Sequence, residues 1–107
     1  MIRLSPALLD YLESSDAPKQ VLIKVLQQRT PPPRAPLYAE YRQAADFNRA
    51  NLLTTLATER DSDRRIEYEP LGLGNQVALK APPAVIFKIA NRADVEDVVP
   101  DAPEDAL

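Results

Sequence analysis

The sequence predicts an α+β fold in which two helices cover one face of a four-stranded antiparallel sheet. Three observations predict it. Residues 20–28 (QVLIKVLQQ) are rich in β-branched side chains and almost entirely apolar in their first half, which is typical of a central strand. Residues 37–59 have helical periodicity over a long span. Residues 65–99 contain three short strand-like runs and one further helical segment.

The composition fits one small domain, residues 1–107, that lacks the side chains of common catalytic sites. The hydrophobic fraction of 45% is enough for a single core, which has to be built from Leu, Val, Ile and Ala because Trp is absent. Cys and His are both absent, which excludes Cys–His and Ser–His–Asp nucleophilic sites and the commonest metal ligand. We therefore expect a protein that is not an enzyme and that uses no cofactor or metal.

Charge and hydropathy restrict the partners and the location. The 13 basic and 16 acidic residues give a net charge of −3, which argues against a nucleic-acid-binding protein because such proteins present a basic face. Asp10 and Glu13 interrupt the apolar residues near the start, so no signal peptide is predicted, and no run has the length of a membrane span. We therefore expect a cytoplasmic protein that binds neither nucleic acid nor membranes.

The chain begins with a short helix, and a proline-rich connector follows the first strand. Ser5 provides a hydroxyl N-cap and Pro6 suits the first helical position, which predicts a helix over residues 5–14. A helix of about two turns is marginal alone, so we expect it to pack on the rest of the protein. Residues 30–36 (TPPPRAP) are predicted to form a stiff, extended surface connector, with a proline-rich recognition motif as the alternative.

The predicted helix over residues 37–59 has two distinct faces. Its solvated face is expected to carry Arg42, Arg49 and Glu59. Residues 61–63 are expected to turn the chain after the helix. The buried face is interrupted by Asn48 and otherwise consists of Tyr41, Ala44, Ala45, Leu52 and Leu56.

Two strands and a turn come next. Residues 65–69 and 76–80 alternate polar and apolar side chains, which predicts half-exposed strands with Ile66 and Tyr68 pointing inward on the first of them. The turn at residues 71–75 contains both glycines of the chain. A phosphate-binding loop is nevertheless not predicted there, because a strand follows the turn rather than the N-terminus of a helix.

A further helix and a fourth strand complete the order. The helix opens at residues 82–83 and closes within residues 91–94, and the strand over residues 95–99 is expected to end at Pro100, which has no N–H. From residue 20 to residue 101 the order is strand, helix, strand, strand, helix, strand. This is the ferredoxin-like split βαβ arrangement, here with an extra N-terminal helix. One face of such a sheet is open to a partner, and residues 102–107 follow it as an extended acidic tail.

Four local patterns resemble those of subtilisin propeptides, the domains that inhibit subtilisin-like serine proteases and assist their folding. They are LSPALL at residues 4–9, VLIKVL at residues 21–26, the helix beginning at Ala84, and VEDVVPD at residues 95–101. They are spread over nearly the whole chain, and the connector and the long first helical segment depart from the family pattern. Because no protease sequence follows, we expect a free-standing inhibitor of this kind.

The resemblance implies a binding mode and a partner, a subtilisin-like serine protease. The open sheet face would dock on two surface helices of the protease, and the C-terminal tail would enter the substrate cleft as a substrate does. Leu107 would occupy the primary specificity pocket, with Ala106, Asp105 and Glu104 upstream of it. Glu104 departs from the apolar residue that many subtilisins prefer at that position.

The resemblance also implies that acidic side chains near the end of the last strand cap the two protease helices. Asp101 holds one such position. The companion position is held by Val99, which cannot cap, so the role falls to Asp97 or Glu96 or the contact is lost. The alternative interpretation of this acidic cluster is that it keeps the tail solvated.

A second class of function is compatible with the same fold. A small, non-enzymatic interaction or regulatory module would bind through the open sheet face and leave the tail idle, so that deleting the tail separates the two hypotheses. An enzyme with a carboxylate site is a weaker hypothesis because no acidic pair is fixed by an apolar cleft pattern. RNA binding is also weak because the central strands lack stacking aromatic residues. We expect the free protein to be a monomer.

Overall fold

A computed structural model of the protein describes residues 5–28, 38–71 and 75–101. The predicted connector at residues 30–36 and the predicted tail at residues 102–107 lie outside the described residues. The elements in chain order are α1 (Pro6–Glu13), β1 (Lys19–Val25), α2 (Tyr38–Ser62), β2 (Glu67–Leu71), β3 (Gln76–Ala81), α3 (Pro83–Ala90) and β4 (Val95–Pro100).

The predicted fold class is confirmed. The four strands form one antiparallel sheet in the order β2-β3-β1-β4, so the first and last strands of the ferredoxin-like core are neighbours and the hairpin β2–β3 lies beside them. This order and the positions of α2 and α3 in the chain fit a ferredoxin-like fold with α1 as an extra N-terminal helix.

One face of the sheet forms the core because side chains alternate along each strand. Val21, Ile23 and Val25 of β1 are fully buried, and so are Val77 and Ala81 of β3. They belong to a single hydrophobic cluster that also contains Leu52 and Leu56 of α2 and Ile86, Ile89 and Ala90 of α3.

The short helix α1 is part of this core, as expected from its length. The Ser5 hydroxyl accepts a hydrogen bond from the Leu8 N–H at 3.1 Å, and Pro6 opens the helix. Leu8 and Leu12 are fully buried in the hydrophobic cluster, and the helix packs beside β4. Burial of these two leucines compensates for the marginal stability of an isolated two-turn helix.

The prediction that Arg49 lies on the solvated side of α2 is wrong, because its side chain is only 2% exposed. Its Nη1 donates to the carbonyl oxygens of Leu71 at 3.0 Å and Gln76 at 3.2 Å, at the end of the β2–β3 hairpin. Its Nη2 donates to Asp46 Oδ1 at 3.3 Å. A buried guanidinium is tolerated where carbonyl and carboxylate oxygens accept from it, and this one joins the helix to the hairpin.

Asn48, which interrupts the apolar face of α2, is buried and makes a second connection. Its Oδ1 accepts from the Gln28 N–H at 2.9 Å, and its Nδ2 donates to Asn75 Oδ1 at 3.1 Å. Tyr41, by contrast, was predicted to be buried and is 39% exposed. The polar contacts of Asn48 and Arg49 therefore fix the N-terminal half of α2 against the sheet, where the sequence predicted an apolar tyrosine contact.

The segment between α2 and β2 differs slightly from the prediction. The helix continues to Ser62, and the chain turns at Asp63, whose carboxylate accepts from the Arg65 N–H at 3.0 Å and from Arg65 Nη2 at 2.8 Å. These bonds to Arg65 lower the pKa of Asp63 below its usual value. Ile66 is buried as predicted, and Tyr68 is half-buried against the core.

We predict that Arg49→Met lowers the free energy of unfolding by about 2 kcal/mol, because two carbonyl oxygens lose a buried charged donor. Urea denaturation measures the change, and Arg60→Met, at an exposed position of the same helix, is the matched control. Equal midpoints for the two variants would show that the buried guanidinium does not hold the hairpin to α2.

Candidate protein-binding site

The face of the sheet opposite the helices carries a row of apolar side chains across three strands. We call this surface the open face. Leu22 of β1 lies directly between Ala78 of β3 and Val99 of β4, as the strand registers place both of them opposite it. Val99 is 41% exposed, and Leu22 and Ala78 are half-buried. Because a cross-strand row lies on one face, these three side chains form an apolar strip at its centre.

Charged side chains on the open face are sorted by strand. The central strands carry lysines: Lys80 Nζ lies 3.9 Å from Glu67 Oε2, and Lys24 Nζ lies 3.5 Å from Glu96 Oε2. Both pairs are largely exposed to solvent and contribute little to stability. The edge strands carry the acids, which are Glu67 and Glu69 on β2, Glu96 and Asp97 on β4, and Asp101 just after β4.

Strand β4 contains a β-bulge at Glu96. Val95 pairs with Val25 and Asp97 pairs with Lys24, so Glu96 is an extra residue in the ladder. The bulge allows Val95 and Val98, three residues apart, to be buried on the same face. Strict alternation would expose one of them, and this spacing is the sequence signal from which the bulge could have been inferred.

The predicted site residues near the end of the last strand are neighbours in the structure. Asp97 and Val99 lie on the open face by register, opposite Lys24 and Leu22. Asp101 follows β4 and lines the same face, and Asp97 Oδ1 accepts from the Val98 N–H at 2.9 Å. The remaining predicted site residues, Glu104, Asp105, Ala106 and Leu107, lie outside the described residues.

Pairing of β4 continues past the predicted stop. Pro100 lies opposite Val21, and the Asp101 N–H donates to the Gln20 carbonyl oxygen at 2.9 Å. Hydrogen-bonded and non-hydrogen-bonded pairs alternate in an antiparallel ladder, so the bond at Asp101 puts Pro100 at a non-hydrogen-bonded position. Its missing N–H therefore leaves no ladder bond unmade, and the prediction that Pro100 ends the pairing is wrong.

Tyr11 of α1 makes the next contact at this end of the ladder. The Gln20 N–H, which a continued ladder would direct to the Asp101 carbonyl, donates to the Tyr11 hydroxyl at 3.0 Å. Lys19 Nζ lies 5.5 Å from the centre of the Tyr11 ring and bonds to the Ser14 and Ser15 hydroxyls at 2.7 and 2.8 Å. The extra helix thus supplies the hydrogen-bond acceptor that ends the pairing of β1 with β4.

A shallow concavity of about 490 Å³ occupies the Asp101 end of the open face. Glu67 and Glu69 border it on the side of β2, and Asp101 borders it on the side of β4. Gln20, Ala78 and Lys80 form its floor. Because the side chain of Ala78 is short, the middle of the open face is recessed between the longer acidic side chains on either side.

Two kinds of feature are absent from the described residues. No group of three or more Asp or Glu side chains within residues 5–28, 38–71 and 75–101 is arranged to hold a metal ion. Over the same ranges, no helix combines the length and apolar character needed to cross a membrane.

Comparisons of this chain with protein-family models, with curated proteins and with solved structures give no match. The resemblance to subtilisin propeptides therefore rests on the sequence patterns alone and stays a prediction.

We predict that Tyr11→Phe accelerates hydrogen exchange of the Gln20 amide by about fivefold, because the amide loses an acceptor worth about 1 kcal/mol. Exchange followed by NMR is the measurement. Tyr41→Phe, at an exposed tyrosine of α2, is the control and should leave Gln20 unchanged. If Gln20 exchanged at the same rate in both variants, the Tyr11 hydroxyl would not be its acceptor.

Proposed function

We propose that this protein inhibits a subtilisin-like serine protease by docking the open face on the protease and inserting residues 102–107 into the substrate cleft. The observation that carries the proposal is the position of Asp101. Asp101 directly follows β4 at a corner of the open face, where its N–H donates to the Gln20 carbonyl oxygen at 2.9 Å. A partner bound to the open face is therefore next to the start of the tail.

The reach and composition of the tail suit this mode. Its six residues can extend at most about 20 Å from Asp101, which is a reasonable distance from a docking surface into an adjacent cleft. In the proposed complex Leu107 fills the specificity pocket as the last residue of a cleaved product would, and Ala106 precedes it. The open face keeps the tail at high effective concentration, so a product-like end remains bound.

The three acids near the end of β4 differ in their readiness to cap a helix of the protease. Asp97 already accepts the Val98 N–H, and Glu96 lies beside Lys24. Asp101 forms no ion pair within 4.0 Å with the described residues. We therefore assign the main capping role to Asp101, whose carboxylate is available to backbone N–H groups at a helix N-terminus. Val99 contributes apolar contact instead.

A second candidate is a small interaction module that binds through the open face without using the tail. The exposure of Val99 at one end of the apolar strip favours it, because an apolar surface can bind a partner whether or not the tail takes part. Both candidates bind with the same face, and they differ only in what the tail does.

We predict that the full-length protein inhibits a broad-specificity subtilisin acting on a small peptide substrate, and that a chain ending at Pro103 loses this inhibition. Leu107→Asp keeps the tail length and is the matched control: it should weaken inhibition at least tenfold, since a carboxylate in an apolar pocket is poorly solvated.

The truncated chain should still bind a subtilisin whose catalytic serine is covalently blocked, because the open face is intact. Inhibition that is equally strong without residues 104–107 would contradict the tail-in-cleft mode. If a partner bound equally well to the full-length and truncated chains, and neither chain inhibited the subtilisin, the interaction module would be favoured.

A further inference from the structure

Strand β2 is an edge strand, and no other strand of the described residues pairs with its outer side. The Val25 N–H donates to the Asn75 carbonyl oxygen at 2.8 Å, so by alternation the odd-numbered residues of β3 bond to β1. The even-numbered residues of β3 therefore bond to β2, and the register pairs them with the odd-numbered residues of β2. Two residues of β2 direct their backbone groups away from the sheet, namely Tyr68 and Pro70.

The outer side of β2 offers one complete pair of backbone hydrogen-bonding groups. Tyr68 presents both an N–H and a C=O there, whereas Pro70 presents a C=O but has no N–H. At the start of the strand, the Ile66 N–H already donates to the Asp63 carbonyl oxygen at 3.2 Å. A strand added at this edge would therefore be anchored at Tyr68, which limits the register it can adopt.

Two carboxylates flank this anchor on one face of the sheet. Glu67 and Glu69 precede and follow Tyr68, and both are exposed. Glu67 lies 3.9 Å from Lys80 in an exposed pair of little strength, and Glu69 forms no ion pair within 4.0 Å with the described residues. An added antiparallel strand would place its residues opposite these two acids in non-hydrogen-bonded pairs, where side chains are closest. Basic side chains at both positions would therefore form ion pairs.

The residue of the added strand opposite Tyr68 would point to the other face, on the side of the core. Tyr68 is half-buried against the hydrophobic cluster, and Leu53 of α2 packs on the same cluster. Helix α2 also contacts β2. An apolar side chain at this position of the added strand would extend the core beyond the edge of the sheet and gain from burial.

A second copy of this chain is a poor occupant of the same edge. Two copies of β2 paired antiparallel about Tyr68 would place Glu67 of each copy opposite Glu69 of the other. Like charges directly opposite each other destabilise a strand pair. Acidic side chains and a proline on an edge strand protect against self-pairing, and here they leave the edge selective for a strand of opposite charge.

We propose that the outer edge of β2 binds an extended segment of a partner protein with the pattern basic–apolar–basic. The segment adds antiparallel to β2, which is the more stable pairing per residue. Its apolar residue exchanges both backbone hydrogen bonds with Tyr68, and its two lysines or arginines pair with Glu67 and Glu69. The site involves neither Asp101 nor the tail, so the inference stands independently of the proposed protease inhibition.

The first test compares two peptides of about seven residues, the length of an ordinary strand, with a central valine between either two lysines or two glutamates. Each is titrated into the isotope-labelled, full-length protein and followed by NMR. The lysine peptide should shift the Tyr68 amide and slow its hydrogen exchange. It should also bind at least tenfold more tightly than the glutamate peptide, because two ion pairs replace two repulsions.

N-methylation of the lysine peptide tests the backbone contacts. Methylation at the central valine removes the N–H that donates to the Tyr68 C=O, and should lower the affinity at least tenfold. Methylation at a neighbouring lysine, whose N–H points away from β2, is the matched control and should change the affinity less than twofold.

Two variants of the protein test the charges. Glu69→Lys should weaken binding of the lysine peptide about fivefold, and Glu13→Lys, the same charge change on α1, should leave it unchanged. Equal affinity for the lysine and glutamate peptides, or equal effects of the two methylations, would overturn the inference. So would amide shifts that are centred away from β2, or no shift of the Tyr68 amide at millimolar concentrations of the lysine peptide.

Discussion

Burial of Val21, Ile23 and Val25 on the central strand β1 determines which way the other strands face. Side chains on a strand alternate, so a slip of one residue against β3 or β4 would put Gln20 and Lys24 into the core. The register that avoids this also places Ala78 and Val99 beside Leu22 on the opposite face. The packing of the core thus determines the surface proposed for binding, and no additional interaction is needed to position it.

The parts of the fold that could be predicted are those determined by local sequence. The N-cap at Ser5 predicted α1 and the alternation of side chains predicted β3. Both predictions were right because each signal depends on residues only a few positions apart. Arg49 was placed wrongly because its acceptors, at Leu71 and Gln76, are more than 20 residues away in the chain. The charge of a side chain predicts that it needs acceptors, and only the tertiary structure supplies them.

The candidate-site residues on β4 could be singled out from the sequence, whereas those on the other strands could not. Asp97, Val99 and Asp101 belong to one sequence pattern, so a motif could single them out. Glu69 drew no attention in the sequence, since only the strand order makes β2 the opposite margin of the same face. The bulge at Glu96 and the contact between Tyr11 and Gln20 were missed for a similar reason, because each is defined by a partner strand or helix rather than by the residue itself.

The Tyr11 hydroxyl has a consequence for the behaviour of the protein at high concentration. An unbonded N–H at a sheet margin is a template on which a strand from a neighbouring molecule can add, which is a common start of domain swapping and fibre growth. Beyond Asp101 the Gln20 N–H would be such a group, and the hydroxyl of α1 already occupies it at 3.0 Å. The extra helix therefore satisfies an N–H of β1 that the ladder with β4 leaves unpaired, and so removes one point at which a foreign strand could begin to pair.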